Sequence, residues 1–189
     1  MKTTNIMIVG VGGQGSLLAS KLLGNLLVDE GYDVKVSEVH GMSQRGGSVV
    51  TYVRFGEKVY SPIVDKGECD YIIAFEKIEA ARYASYLKPD GKIIANTQEI
   101  EPMPVITGAC DYPVNALEML SSLGLSVDAL DALTPATKAG SAKAVNIVLM
   151  GRLSKYMDIP VEKWIDAIKK SVAPKFVELN LKAFELGRN

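Results

Sequence analysis

The sequence predicts an α/β domain: a doubly wound, mostly parallel sheet followed by C-terminal helices. Three observations predict it. Short apolar runs of strand length alternate with longer stretches of helical spacing in the first half of the chain, and strands alternating with helices build parallel sheets covered on both faces. A glycine-rich turn stands directly between the first apolar run and the first helical stretch, where open sheets of this class place ligand loops. From about Pro135 onward, strand signals give way to helical spacing alone.

Taken in order, residues 5–10, NIMIVG, form an apolar run ending in Gly, as expected of a strand buried on both faces. In the following stretch Lys21, Asn25 and Asp29 recur every four residues while Leu18, Leu22 and Leu26 fill neighbouring rows, which predicts a helix with a narrow wet stripe. Gly31 closes it as a C-cap, and Val34, Val36 and Val39 are the apolar members of a second strand. The stretch SVVTYVRFGEKVYSPIV is rich in β-branched and aromatic residues and has Gly56 in its middle, which predicts paired strands and a tight turn. DYIIAF reads as a buried strand and EKIEAARYASYL as a helix ended by Pro89-Asp90-Gly91, with KIIAN a further strand. Near the end, Val161, Trp164, Ile165, Ile168 and Val172 make one apolar helical face behind Pro160. Pro174 breaks that helix, and a last one carries Val177, Leu181 and Phe184.

A chain of 189 residues, 48% apolar and 23% charged, has the balance of one folded domain. We read residues 1–189 as that single domain, helical from about residue 135. Lys and Arg number 21 against 22 Asp and Glu, a net charge of -1, so no basic field marks it for nucleic acid. The longest candidate span, Leu17 to Val28, is interrupted by Ser20, Lys21, Gly24 and Asn25, short of the ~20 apolar residues a bilayer needs. No membrane partner and a cytoplasmic location are therefore expected. Cys69 and Cys110 are the only cysteines, too few for a disulfide framework or an iron–sulfur run.

Gly10, Gly12 and Gly15 stand in a Gly-x-Gly-x-x-Gly arrangement between strand and helix, which makes the predicted fold Rossmann-like. Bare backbone N–H groups and the helix N-terminus suit an anion there. The same glycines also serve close packing of helix on strand, and both readings stand. No Lys follows Gly15, where Ser16 and Leu17 are found instead, so this is not an ATP-hydrolysing P-loop. Glu38 lies 23 residues beyond Gly15, near where a dinucleotide site puts an acid on the ribose, and this keeps a free-standing NAD-binding dehydrogenase open. Residues 10–16 also resemble the turn of ubiquitin-activating-type adenylating enzymes, whose zinc cysteine pairs and catalytic cysteine pattern are missing.

A second loop, His40-Gly41-Met42-Ser43-Gln44-Arg45-Gly46-Gly47-Ser48, follows the second strand. His40 is the only histidine, which makes a metal site a poor reading. Arg45 offers a bidentate clamp for carboxylate or phosphate, and Gly46 and Gly47 let backbone approach closely. These residues fit either ligand contact or a polar network bracing the loop or a subunit interface.

With Gly12-Gly13-Gln14-Gly15 and Arg45-Gly46-Gly47, the sequence resembles the γ-type domain of the 2-oxoacid:ferredoxin oxidoreductases. The wording from His40 to Gly47 is similar to the small subunit of the indolepyruvate branch; the pyruvate branch usually has Tyr and an acid at the positions of His40 and Ser43. Asn96-Thr97, Asn146, Gly151 and the closing Asn180-x-x-Ala183-Phe184-x-x-Gly187 extend the resemblance almost to the end of the chain. It implies a complex that decarboxylates an aryl 2-oxoacid on thiamine diphosphate, passes electrons through iron–sulfur clusters to ferredoxin and transfers the acyl group to coenzyme A. No Gly-Asp-Gly thiamine motif is present, and Asp90-Gly91 reads as a simple turn. The expectation is that this chain alone binds no cofactor and carries no catalytic residue, that thiamine diphosphate and the clusters sit on a large partner subunit, and that ferredoxin is met through the complex. The residues expected to face that partner's cleft and help position coenzyme A or the oxoacid carboxylate are Gly10, Gly12, Gly13, Gln14, Gly15, Ser16, His40, Arg45, Gly46 and Gly47. A non-catalytic assembly subunit is the other alternative, and the isolated chain could pair as a homodimer through a face reserved for its partner.

Overall fold

The computed structural model describes residues 3–40 and 47–189, with His40 described by its main chain alone. Six strands form one sheet: β1 (Thr4–Val11), β2 (Asp33–His40), β3 (Ser48–Gly56), β4 (Cys69–Ala74), β5 (Leu87–Asn96) and β6 (Ser126–Leu130), in the order β2-β3-β1-β4-β5-β6. β1 pairs parallel with β4, β4 with β5 and β5 with β6, whereas β3 is antiparallel to both β1 and β2. Among the described strands only β3 therefore runs against the rest, and the sheet is mostly parallel in strand direction.

Helices cover both faces. On one, α1 (Ser16–Asp29), α5 (Leu133–Ala139), α6 (Val145–Leu153), α7 (Val161–Ser171) and α8 (Val177–Arg188) pack with Ile6, Ile8, Ile73 and Ile94 into the larger core. On the other, α2 (Lys77–Tyr83) and α4 (Ala116–Ser122) meet Met7, Val9, Ile72 and Ile93, while the short α3 (Met103–Ile106) stands on the surface. Alternation along each strand divides its side chains between the two cores. The helix after β1 and the helix after β4 thus lie on opposite faces, so the strand order reverses between β1 and β4. That reversal point opens a crevice at the carboxyl ends of the strands.

The leucine rows of α1 do what their spacing predicts: Leu22, Leu23, Leu26 and Leu27 are sealed, and Lys21, Asn25 and Asp29 face outward. Gly31, at φ 86°, ends the helix, with Gly31 N–H donating to the Val28 carbonyl and Tyr32 N–H to that of Leu27, a Schellman closure. Trp164 and Ile168 bury the predicted face of α7, and Trp164 stacks on Phe184 of α8 with ring centroids 5.9 Å apart.

Two expectations need correction, and two elements went unpredicted. No hairpin partner follows Gly56, because both edges of β3 are already paired, one with β1 and one with β2. The chain after Gly56 is held as a loop instead: the Arg54 guanidinium donates to the carbonyls of Ser61 and Ile63, and Asp33 accepts from Val59 N–H. The helix read as far as Leu87 stops at Tyr83, with one 3-10 turn over Ala84–Tyr86, and Pro89-Asp90-Gly91 lie inside β5, not beyond a helix. Pairing jumps from Cys69↔Leu87 to Tyr71↔Lys92, so β5 bulges there, and a Cβ on Gly91 would come 2.9 Å from the Cys69 carbonyl. Finally, β6 and α4 precede the helical region and carried no pattern strong enough to predict them.

On β6, Asp128 takes a fork of hydrogen bonds from Arg152 Nε and Nη2 at 2.7 and 2.9 Å, and a third from Tyr156 Oη at 2.6 Å. Burial pushes the Asp128 carboxyl up, but the bonds from Arg152 and Tyr156 and the Arg152 and Lys92 charges outweigh it and hold it below the usual value. A depressed carboxylate stabilises the fold above its unfolded value, near pH 4, and loses that contribution as pH falls through its folded value. Asp128→Asn should therefore cost about 1.5–3 kcal/mol at pH 7, the range for a hydrogen bond to a charged group. The gap from wild type should narrow as pH falls below about 4, as read by urea unfolding at each pH.

Candidate functional site

The glycine turn occupies the carboxyl end of β1, at the crevice between β1 and β4. Gly13 and Gly15 adopt φ 98° and 90°, a region costly for residues with a Cβ. Beyond Gly13 a Cβ would meet open space, but at Gly15 it would lie 2.7 Å from Asn146 Nδ2, which donates to the Gly15 carbonyl at 3.2 Å. Gly10 makes room inward, since a Cβ there would fall 2.8 Å from Gln14 Oε1 and 3.0 Å from Phe75 Cβ. The packing role and the anion-binding role are thus divided: Gly10 and Gly15 serve contacts within the fold, and Gly13 stands on the open side. Gly15 is the N-cap of α1 with no side-chain cap, and the first turn, beginning at Ser16, holds no acid. The leading N–H groups of a helix have no acceptor within it, and these carry the partial positive charge of a 14-residue helix.

Gln14 was expected to face a ligand, yet its side chain turns back into the protein. Gln14 Oε1 accepts from Val11 N–H at 2.7 Å, while Nε2 donates to the Phe75 carbonyl at 3.0 Å and to Gln98 Oε1 at 3.2 Å. It bridges the reversal point from the end of β1 to the residue after β4. Asn96, fully buried at the end of β5, mirrors it: Oδ1 accepts from Ala132 N–H at 3.0 Å, and Nδ2 donates to the Phe75 carbonyl at 3.2 Å and Gln98 Oε1 at 3.3 Å.

The second loop meets this turn at its base. Gly12 N–H donates to the Gly47 carbonyl at 2.9 Å, and Val11 is in register with Ser48. Val49 lies in register with Gly10 on one side and His40 on the other. The two motifs, about thirty residues apart in sequence, are therefore adjacent because β3 runs back between β2 and β1. Ser48 Oγ donates to Glu79 Oε2 and lies 3.3 Å from Tyr83 Oη; Glu79 also accepts from Arg82 Nε at 3.0 Å. Glu79 is 4% exposed, and its own N–H is capped by the equally buried Glu76. These acids brace the loop base, and their place in a helical stretch gave no sign of it. Of the predicted site residues, Gly10, Gly12, Gly13, Gln14, Gly15, Ser16 and Gly47, with the main chain of His40, come together. Arg45 and Gly46 lie outside the described residues.

Glu76 also accepts from Tyr112 Oη; burial, and then that carboxylate, push the Tyr112 hydroxyl far above its usual value. Burial raises the Cys69 thiol to about 12, so Cys69 is an unreactive core group. Cys110 is exposed, and with no other cysteine in the chain this donor set does not fit a cubane cluster, which takes four. Among the described residues no group of three or more His, Cys, Asp or Glu is arranged to hold a metal, and no helix is long and apolar enough to cross a membrane. The nucleotide reading of Glu38 meets a geometric obstacle. With β3 inserted, β2 stands two strand spacings from β1, about 10 Å, and Glu38 accepts a hydrogen bond from Thr51 Oγ1 at 3.3 Å.

Comparison with known proteins agrees with this geometry. A family model described as pyruvate ferredoxin/flavodoxin oxidoreductase matches residues 5–189. The chain is 45% identical over 192 residues to indolepyruvate oxidoreductase subunit IorB of Thermococcus kodakarensis, covering 99% of this chain and 95% of that protein. It is 39% identical to the same subunit of Archaeoglobus fulgidus, covering 98% and 94%. Among solved structures, the keto/oxoacid ferredoxin oxidoreductase γ subunit of Geobacter sulfurreducens superposes with a TM-score of 0.72 at 22% identity, covering 97% of this chain and 95% of that one. The 2-oxoglutarate:ferredoxin oxidoreductase of Magnetococcus marinus, solved with 2-oxoglutarate, coenzyme A and succinyl-CoA bound, superposes with a TM-score of 0.76 at 18% identity; all of this chain matches 31% of that chain.

Proposed function

This chain belongs to the pyruvate ferredoxin/flavodoxin oxidoreductase family, and from that premise we propose that it is the small, γ-type subunit of an indolepyruvate-type 2-oxoacid:ferredoxin oxidoreductase. The complex oxidatively decarboxylates an aryl 2-oxoacid to the acyl-CoA and reduces ferredoxin. Thiamine diphosphate and the iron–sulfur clusters reside on a larger partner in the cytoplasm; when bound there they supply the carbanion chemistry and the electron path. This chain supplies a shaped wall. Its part is to present the open side of the Gly13 turn, the uncapped start of α1 and the His40 to Ser48 loop to the partner's cofactor cleft, and there to orient an anionic group of coenzyme A or the oxoacid carboxylate.

One observation supports this reading most directly: the Gly12 N–H to Gly47 carbonyl bond joins the two glycine motifs at the carboxyl edge of the sheet, where open α/β folds receive ligands. Bare amides at the head of α1 and the guanidinium of Arg45, two residues before Gly47 in sequence, would make a matched anion-binding pair. Arg45 is the first choice for the charged contact. In the reconstituted complex, Arg45→Ala should raise the Michaelis constant of coenzyme A or of the oxoacid by about tenfold or more, as expected for one lost charge-assisted hydrogen bond. Unchanged turnover with unchanged constants for both substrates would remove Arg45 from the site.

A further inference from the structure

Beside the glycine turn, the three side-chain amides of Gln14, Asn96 and Gln98 form one hydrogen-bonded set whose orientations are decided from outside it. Val11 N–H and Ala132 N–H are donors only, so the oxygen of Gln14 must face the first and that of Asn96 the second. Their NH2 groups are thereby turned toward the Phe75 carbonyl and toward Gln98. Gln98 therefore meets two donors, at 3.2 and 3.3 Å, and must answer both with its oxygen. A flipped Gln98 amide would set three NH2 groups against each other. Its main chain is held as well, the carbonyl accepting from Lys77 N–H at 3.2 Å. The consequence is that the NH2 group of the half-buried Gln98 is turned away from the set, with no hydrogen-bond partner among the described residues, just beyond the end of β5 beside the reversal point.

We propose that Gln98 is a ligand-binding residue of this subunit, whose fixed NH2 donates to an acceptor oxygen of a substrate at the carboxyl edge of the sheet. The assignment rests on the reading that this edge faces the partner's cleft, and it adds a neutral donor to the amides of α1. Such a donor accepts a carboxylate, carbonyl or phosphate oxygen equally, so the oxoacid and coenzyme A share the required chemistry. It rejects a donor at the same place, because the amide cannot turn over without breaking two hydrogen bonds.

Gln98→Glu tests this in the reconstituted complex. Glu keeps an oxygen for Gln14 and Asn96 but turns the outward group from donor to charged acceptor. One Michaelis constant should rise at least about tenfold, the scale of a hydrogen bond replaced by repulsion, with kcat within about twofold. Titrating coenzyme A at saturating indolepyruvate, and indolepyruvate at saturating coenzyme A, identifies which substrate the group touches. Calorimetric titration of coenzyme A into the complex should show a parallel loss of affinity if that substrate is the one. Should Gln98→Glu not assemble, Gln98→Met, of similar length and without charge, is read the same way with a smaller expected rise. Both constants within twofold of wild type would overturn the assignment. If Arg45→Ala still impairs that complex, only the role of Gln98 falls; if the wild-type complex itself shows no turnover, the functional reading falls with it.

Discussion

Gly187→Ala should lower the melting temperature of the isolated chain by about 6–12 °C, corresponding to at least about 3 kcal/mol, with each kcal/mol shifting a domain of this size by about 2–4 °C. The cause is where α6 and α8 cross. A Cβ on Gly187 would sit 2.0 Å from the carbonyl oxygen of Val148, and one on Gly151 would sit 2.2 Å from that of Phe184. Both obstacles are backbone, so no rotamer change relieves them and the helices must part. Parting loosens the fully buried Ile147, Val148 and Ala183 and disturbs Asn146, whose amide holds the Gly15 carbonyl. The sign separates this account from helix propensity, under which Ala in the last turn of α8 would be neutral or stabilising, by at most roughly 0.5–1 kcal/mol. Thermal unfolding of the variant decides it: an unchanged or raised melting temperature contradicts the close crossing. Gly13→Ala, which meets no atoms but carries a positive φ, should cost only about 1–2 kcal/mol.

Those two glycines show what a sequence can and cannot disclose. Gly151 and Gly187 are visible as positions shared with the family resemblance, yet only the crossing of α6 and α8 explains why no methyl group is admitted. α1 and α7 were legible because a stripe of Lys21, Asn25 and Asp29, or a face of Trp164 and Ile168, encodes burial locally. The insertion of β3 between β2 and β1 was not legible, since strand order depends on pairings between distant segments. That blindness produced the false hairpin after Gly56 and made Glu38 look like a ribose ligand. The bulge at Pro89-Asp90-Gly91 carries turn chemistry and was read as a boundary, although β5 already pairs from Leu87. At the site, motif spacing located the glycine turn and the second loop but could not say which atoms face outward. Gln14, expected to face a ligand, commits its amide to Val11 and Phe75. Gln98 belongs to no pattern, and its orientation follows only from two main-chain donors on other segments.

On the proposed function, the purified chain should show no measurable oxidation of indolepyruvate with coenzyme A and an electron acceptor, while addition of the proposed thiamine-bearing partner should restore turnover. This is the largest effect the account predicts, because the titratable groups described around the site are held in structural contacts. Cys69 is sealed and raised to about 12, Tyr112 is driven far above its usual value, and the buried Glu76 and Glu79 are committed to capping α2 and bracing Ser48. The amides proposed to act near Gly13 and Gln98 would stabilise an acceptor oxygen, and stabilisation without a reacting group gives binding alone. The deciding measurement compares single-chain and reconstituted assays at equal concentration, with acyl-CoA and reduced acceptor quantified together. Turnover only in the mixture is the predicted result. Acyl-CoA formation by this chain alone, or full activity of the partner without it, would contradict the account.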